Sequence, residues 1–114
     1  MRLPADVLPP NVHRLLHAAD AHDSDEAWAK VIAAYSALML RTTRTVLSER
    51  DDVMDAYTFV LEQLRAGNYQ RIRAYAADGR CKFTTWLVVV VRRASIDFAR
   101  QKYGRRNETN GVHD

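Results

Sequence analysis

The chain has 114 residues, of which 47% are hydrophobic and 27% are charged, and its formal net charge is +3. This length supplies one hydrophobic core and is too short for two, and the composition is that of an ordinary globular domain. The longest strictly apolar run, residues 86–91, is far shorter than the roughly 20 residues of a membrane-spanning helix, and no signal-peptide-like stretch follows the basic residue at position 2; we therefore expect a cytoplasmic protein that makes no contact with a membrane.

The first half of the chain predicts a short helix followed by a long one. All three prolines lie within residues 1–11, which we expect to form a flexible arm, and a short helix is predicted over residues 12–21. In the sequence Asp23-Ser24-Asp25-Glu26, a capping residue is followed three positions later by a glutamate, which is typical of a helix N-terminus. Apolar residues then recur at helical spacing as far as Leu47, so a long helix is predicted up to Ser48.

A third helix is predicted from Asp51 or Asp52 to Ala66, with Gly67-Asn68 as its C-terminal stop. Its inner stripe is predicted to consist of Val53, Tyr57, Val60, Leu61 and Leu64. Phe59 falls about 150° from this stripe, which predicts an exposed aromatic side chain.

The last helix is predicted over residues 83–103, with Gly104 as its stop, after a short helix at 70–76 and a turn at Asp78-Gly79. Its valine run has strand propensity, but the wider window has a helical period. The inner residues are then Phe83, Trp86, Leu87, Val90, Val91, Ala94 and Phe98, and the opposite face carries Val89, Arg92, Arg93, Ile96 and Arg100. The predicted fold is an all-α, compact bundle of three main helices plus a short N-terminal helix, a domain over residues 12–104, followed by a flexible tail or linker at 105–114.

No catalytic, metal or cofactor signature stands out, and we do not expect an enzyme. The chain has no glycine-rich phosphate loop and no nucleophile elbow. His13 and His17 have the i, i+4 spacing of metal ligands, but without a glutamate-containing zinc motif or cysteines such pairs are usually surface residues. The single cysteine, Cys81, excludes an internal disulfide and fits a reducing compartment; as a lone loop cysteine it is more often incidental than redox-active.

The most informative segment runs from residue 69 to residue 102. Its first part is predicted to form a loop that combines aromatic and basic side chains, and an arginine-bearing helix follows. The aromatic residues are Tyr69, Tyr75, Phe83 and Trp86, and the basic residues are Arg71, Arg73, Arg80 and Lys82. Single-stranded nucleic acid is bound by such combinations, since cations contact the phosphates while aromatic or pocket-forming side chains accept unstacked bases. Phe83 and Trp86 are expected to belong to the core and to hold the preceding loop rigid.

The same segment resembles the promoter-melting domain of bacterial extracytoplasmic-function sigma factors. The resemblance rests on Phe83-Thr84-Thr85-Trp86-Leu87, Val90-Val91-Arg92-Arg93 and Ile96-Asp97-Phe98-Ala99-Arg100, with an acidic helix start at Asp51-Asp52-Val53-Met54-Asp55 upstream. It covers about residues 25–103. The chain departs from the family in having Asp55-Ala56 where Gln-Glu is common, and in a longer connection between Leu64 and Phe83.

The resemblance implies two binding surfaces. The helix at 51–64 would bind the clamp coiled coil of core RNA polymerase through Asp52, Asp55, Thr58, Phe59 and Glu62. The non-template strand of the promoter's minus-ten element would contact the loop and the last helix. There, Arg80, Lys82, Thr84 and Thr85 would form a pocket for a flipped base, while Arg92, Arg93 and Arg100 would bind phosphates. An anti-sigma factor is a further partner that the resemblance allows.

Two other functions compete with this hypothesis. A basic helical adaptor that binds an acidic protein would carry the same arginine-bearing face on its last helix. A duplex-binding helix-turn-helix protein is less favoured, because no pair of short helices joined by a tight glycine-containing turn stands out.

Overall fold

The structure is a computed structural model that describes residues 8–104. Its helices are α1 (Pro10–Leu16), α2 (Ala21–Arg44), α3 (Arg50–Asp78) and α4 (Phe83–Ala99), and α4 continues into a π-helical turn at Arg100–Gly104. Within these residues there is no strand, and the predicted all-α bundle of three main helices and a short N-terminal helix is confirmed. The predicted tail, and all but the last residues of the predicted arm, lie outside the described part of the chain.

The boundary between α1 and α2 differs from the prediction. α1 ends at Leu16, and α2 begins at Ala21 rather than after Asp23. Asp20 is the N-cap: its backbone is extended, and its side-chain oxygen accepts a hydrogen bond of 2.8 Å from the backbone N–H of Asp23. Both residues fit the capping pattern, and only the path of the chain after α1 selects the earlier one.

α3 consists of two helical segments, residues 50–65 and 70–78, separated by a break. Gly67, Asn68 and Tyr69 all have left-handed backbone conformations, with φ values of 64°, 56° and 63°. A Cβ atom on Gly67 would lie 2.7 Å from the side-chain oxygen of Gln70, which can move because it ends a flexible, exposed side chain; the left-handed backbone is therefore what favours glycine there. The stop predicted at Gly67-Asn68 and the short helix predicted after it are both confirmed.

Burial of the Tyr69 side chain offsets the strain of its left-handed backbone. The residue is 3% exposed, and its ring lies 5.4 Å from that of Trp28 on α2. The prediction that placed Tyr69 among the aromatics of a nucleic-acid-binding loop is therefore wrong, because its ring belongs to the core.

The main core lies between α2, α3 and α4. On α4, Phe83, Leu87, Val91 and Ala94 are buried, which confirms that the valine run is helical. Ser95 is also fully buried, and its hydroxyl donates to that of Thr43 on α2 at 3.3 Å. Two small residues at this contact let α2 and α4 approach closely.

A second, smaller cluster packs the end of the described residues against the start of α3. Its buried residues are Leu47, Val53 and Ala56, and Phe98 and Tyr103 pack on it. No helix in the described residues is both long enough and apolar enough to cross a bilayer.

Candidate nucleic-acid interface

The outward face of α4 gathers most of the predicted DNA-contacting residues into one surface, which we call the basic face. Because Phe83, Leu87, Val91 and Ala94 point into the core, the residues half a turn away point outward. From residue 82 to residue 100 this face extends about 27 Å at the helical rise per residue. Its exposed members are Lys82, Thr85, Val89, Arg92, Arg93 and Arg100.

The arginines of the basic face are available for an anionic partner. Among the ion pairs between described residues, none includes Arg92, Arg93 or Arg100. Arg92 is held by a hydrogen bond of 3.3 Å from its Nη1 to the hydroxyl of Thr45, an interaction that leaves the guanidinium exposed. Such cations are the groups that phosphates bind.

The loop before α4 is held in place by contacts with the second segment of α3. Gly79 has a left-handed backbone, with φ at 57°, and its N–H donates to the Tyr75 carbonyl at 2.7 Å. The Tyr75 hydroxyl donates to the carbonyl of Cys81. The ring of Tyr75 lies 5.7 Å from that of Phe83 and 5.0 Å from that of Trp86, so an aromatic cluster fixes both sides of the loop.

The four residues predicted to form a pocket for a flipped base lie in the loop before α4 and at the start of that helix. Lys82, Thr84 and Thr85 are exposed, at the start of α4. A groove of about 500 Å³ does lie beside the loop, but Arg80 is the one predicted pocket residue that lines it. Its other lining residues come from the second segment of α3 and the adjacent flank of α4, namely Arg71, Ala74, Tyr75, Asp78, Cys81, Trp86 and Val90. The groove thus contains one of the four predicted residues, and the pocket of Arg80, Lys82, Thr84 and Thr85 stays a prediction.

The face predicted to bind polymerase is also partly corrected. Asp55, Thr58 and Glu62 are exposed on one side of α3, as expected. Met54 shares this side and is 46% exposed, which makes it the most exposed large apolar residue described. The helical wheel could have identified Met54, since it lies one turn before Thr58.

Phe59 was predicted to be exposed, and this prediction is wrong, whereas Asp52, named as a polymerase contact, lies away from the exposed face. Phe59 is half-buried, and its ring lies 5.8 Å from that of Phe98 at the end of α4. Asp52 is buried at 5% exposure and accepts hydrogen bonds from Lys102 and Tyr103. The end of α4 and the π-helical turn cover this flank of α3, a tertiary contact that the wheel of α3 alone does not contain.

Lys102 is bound by Asp52 and therefore does not belong to the basic face. The hydrogen bonds from Lys102 and from Tyr103 lower the pKa of Asp52 below its ordinary value. The hydrogen bond to the Asp52 carboxylate in turn raises the pKa of Lys102, and it also raises that of Tyr103. The three side chains form an anchor between the start of α3 and the end of the described chain.

No metal-binding arrangement is present in residues 8–104, where no three histidine, cysteine or acidic side chains are grouped. His13 and His17 stack on each other with ring centroids 4.2 Å apart. The Nδ1 atom of His17 donates to the His13 carbonyl at 2.9 Å. Both histidines thus have a local structural role on α1.

Comparison of the chain with known protein families, with curated proteins and with solved structures gives no match.

Proposed function

We propose that this chain is the promoter-melting domain of an alternative RNA polymerase sigma factor of the extracytoplasmic-function type. In this proposal the domain binds core polymerase and contacts the minus-ten element as the promoter opens. It acts by binding and has no catalytic role. The proposal rests on the sequence resemblance described above and on the arrangement of the basic face.

The observation that carries the proposal is the position of the basic face beside an anchored loop. Arginines without carboxylate partners among the described residues line α4, and the aromatic cluster of Tyr75, Phe83 and Trp86 holds the loop at the start of that helix. Cations supply affinity for any strand, whereas a fixed loop with a neighbouring groove can discriminate between bases. Strand capture during promoter opening needs both properties.

The polymerase surface in this proposal is the exposed side of the first segment of α3. Asp55 and Glu62 supply negative charge, and the exposed Met54 and Thr58 lie beside them on the same side of the helix. An exposed methionine flanked by acids suits a basic helical partner, since methionine adapts to irregular apolar surfaces. The clamp coiled coil of core polymerase is the partner that the sequence resemblance implies.

A gel-shift experiment tests this function directly. The chain is mixed with single-stranded minus-ten DNA, with the same sequence as duplex, and with core polymerase, separately and together. We expect binding to polymerase, and a complex with polymerase that prefers the non-template single strand over the duplex. Equal binding of all DNA forms without any polymerase complex would refute the proposal.

A second candidate is a basic adaptor that binds an acidic amphipathic segment of another protein. It is favoured by Val89, which is 41% exposed in the middle of the basic face and has the half-buried Ile96 two turns further along. An apolar residue surrounded by arginines suits an acidic helix with an apolar stripe. In the same experiment this function gives no polymerase complex and no strand preference.

A further inference from the structure

A cavity lies where the end of α1 meets the start of α2 and the break in α3. Its volume of about 520 Å³ is within the range of small-molecule sites, about 300–1,000 Å³. Its apolar lining includes Leu15, Ala18 and Ala21, and its charged lining consists of Asp20, Asp25, Arg65 and Arg73. None of its lining residues belongs to the basic face, to the groove beside the loop or to the exposed side of α3, so it is a separate site.

Arg73 supplies a fixed positive charge at this cavity. Its Nε atom donates to the Asn68 carbonyl at 2.9 Å, and its Nη1 atom donates to the Leu16 carbonyl at 3.2 Å. The ion pairs between described residues do not include Arg73, and its Nη2 atom makes no hydrogen bond within residues 8–104. A guanidinium that is oriented by carbonyls and has no carboxylate partner suits the carboxylate of a ligand.

Asp20 supplies the matching negative charge. Its Oδ1 atom accepts the capping hydrogen bond from the Asp23 N–H at 2.8 Å, which leaves Oδ2 without a partner in the described part of the chain. Asp20 is also absent from the ion pairs between described residues. Asp25 and Arg65 compensate each other at 2.8 Å. The cavity therefore has one cation and one anion whose charges are not compensated by a neighbour.

This pair of charges decides which ligands the cavity fits. A simple anion would be repelled by Asp20 and a simple cation by Arg73, whereas a molecule with one carboxylate and one ammonium group complements both. The backbone at the cavity points to a binding role as well. Asn68 and Tyr69 line it in left-handed conformations, and strained residues of this kind cluster at ligand-binding sites.

We propose that this cavity binds a small apolar zwitterion between Asp20 and Arg73, with the chemistry of a free amino acid or of a short peptide whose termini are free. The carboxylate of the ligand binds Arg73, its ammonium group binds Asp20, and its aliphatic side chain packs on Leu15 and Ala18. The proposal does not depend on the function proposed above. Because the ligand contacts α1, α2 and α3 together, it stabilises the folded chain.

The first test is isothermal titration calorimetry with the full chain and two probes, leucine and the dipeptide alanyl-leucine. Each probe is compared with its N-acetyl form, which lacks the ammonium group, and with its amide form, which lacks the carboxylate. We expect a probe to bind, and blocking either end should weaken its binding about tenfold or more, the scale of a hydrogen bond to a charged group. Binding of leucine identifies the ligand class as a free amino acid, and binding of alanyl-leucine alone identifies it as a peptide.

The second test is Asp20→Asn, which locates the ammonium group. Asparagine is as good an N-cap as aspartate, so α2 should keep its start while the cavity loses its anion. The variant should bind the N-acetyl probe as the wild type does, and it should bind the unblocked probe no more tightly than that. Asp51→Asn is the matched control, because Asp51 is also exposed, lies in the first turn of α3 and does not line the cavity.

Three results would overturn the proposal. If the wild-type chain binds the blocked probes as tightly as the unblocked ones, the two charges are not recognised. If Asp20→Asn keeps the preference for a free ammonium group, or Asp51→Asn loses it, the ammonium group does not bind at Asp20. If neither probe binds nor raises the thermal midpoint, this class of ligand is excluded. Circular dichroism checks the helix content of Asp20→Asn, and if that content falls, the probe series with the wild-type chain decides alone.

Discussion

Removing two arginines from the basic face should change how DNA binding depends on salt. The variant combines Arg92→Ala with Arg93→Ala. Both side chains are exposed, and neither pairs with a carboxylate among the ion pairs between described residues. The hydrogen bond from Arg92 to Thr45 is exposed as well. Alanine is a better helix former than arginine, so we expect the free energy of unfolding to change by less than about 0.5 kcal/mol.

The size of the effect follows from counterion release. Each phosphate contact contributes about 0.7 to the slope of log K against log salt for a single strand and about 0.9 for duplex DNA. If each arginine holds one phosphate, the slope falls by about 1.4 for the single strand. Over a fourfold increase in salt, the wild-type chain should therefore lose about sevenfold more affinity than the variant.

The assay is a titration of labelled single-stranded and duplex DNA at several salt concentrations. Arg14→Ala with Arg65→Ala serves as the control, because it removes the same charge from exposed residues that are already paired with Asp23 and Asp25. We expect the control to keep the wild-type slope. A variant with an unchanged slope, or a control with an equal decrease, would show that the basic face of α4 is not where the phosphates bind.

Three further predictions follow from the contacts of α3. Phe59→Ala should lower the free energy of unfolding by about 2 kcal/mol, less than for a fully buried phenylalanine, because Phe59 packs on Phe98. Thr58→Ala on the exposed side should change this free energy by less than about 0.5 kcal/mol. Chemical denaturation measures both values, and equal values would contradict the packing of Phe59 on Phe98. Because the pKa of Asp52 is lowered in the folded chain, its carboxylate stabilises the fold above its ordinary pKa, and this contribution is lost as the pH falls through the folded pKa. Asp52→Asn should therefore make the free energy of unfolding depend less on pH in the acid range. An unchanged dependence on acid pH would refute the anchor. Glu62→Lys should weaken binding to core polymerase in a pull-down without shifting the thermal midpoint, and undiminished binding would exclude this side of α3 as the polymerase surface; Asp55 is left unchanged because its charge acts on Lys102 of the anchor.

The helices and most of the basic face could be predicted from the sequence. The spacing of hydrophobic residues along one helix can be recognised without knowing which other helices pack on it. For this reason α4 could be predicted despite its valine run. Gly67 and Gly79 marked breaks correctly because glycine, which has no Cβ atom, adopts a left-handed backbone without the steric cost that other residues incur. The exposure of Arg92, Arg93 and Arg100 then followed from the burial of the opposite side of the same helix.

The packing of the helices on one another determines which residues outside the inner stripes are covered. It also determines which residues line the groove. Phe59 lies outside the inner stripe of α3, and the helical wheel therefore predicts it to be exposed. The end of α4 and the π-helical turn cover Phe59 and Asp52 through residues about 40 to 50 positions away in the chain. The groove likewise joins Arg71 and Tyr75 to Trp86 and Val90 across the turn at Gly79, and no spacing in the sequence encodes that meeting. Such contacts depend on how two helices pack, which is set by the whole core rather than by either helix.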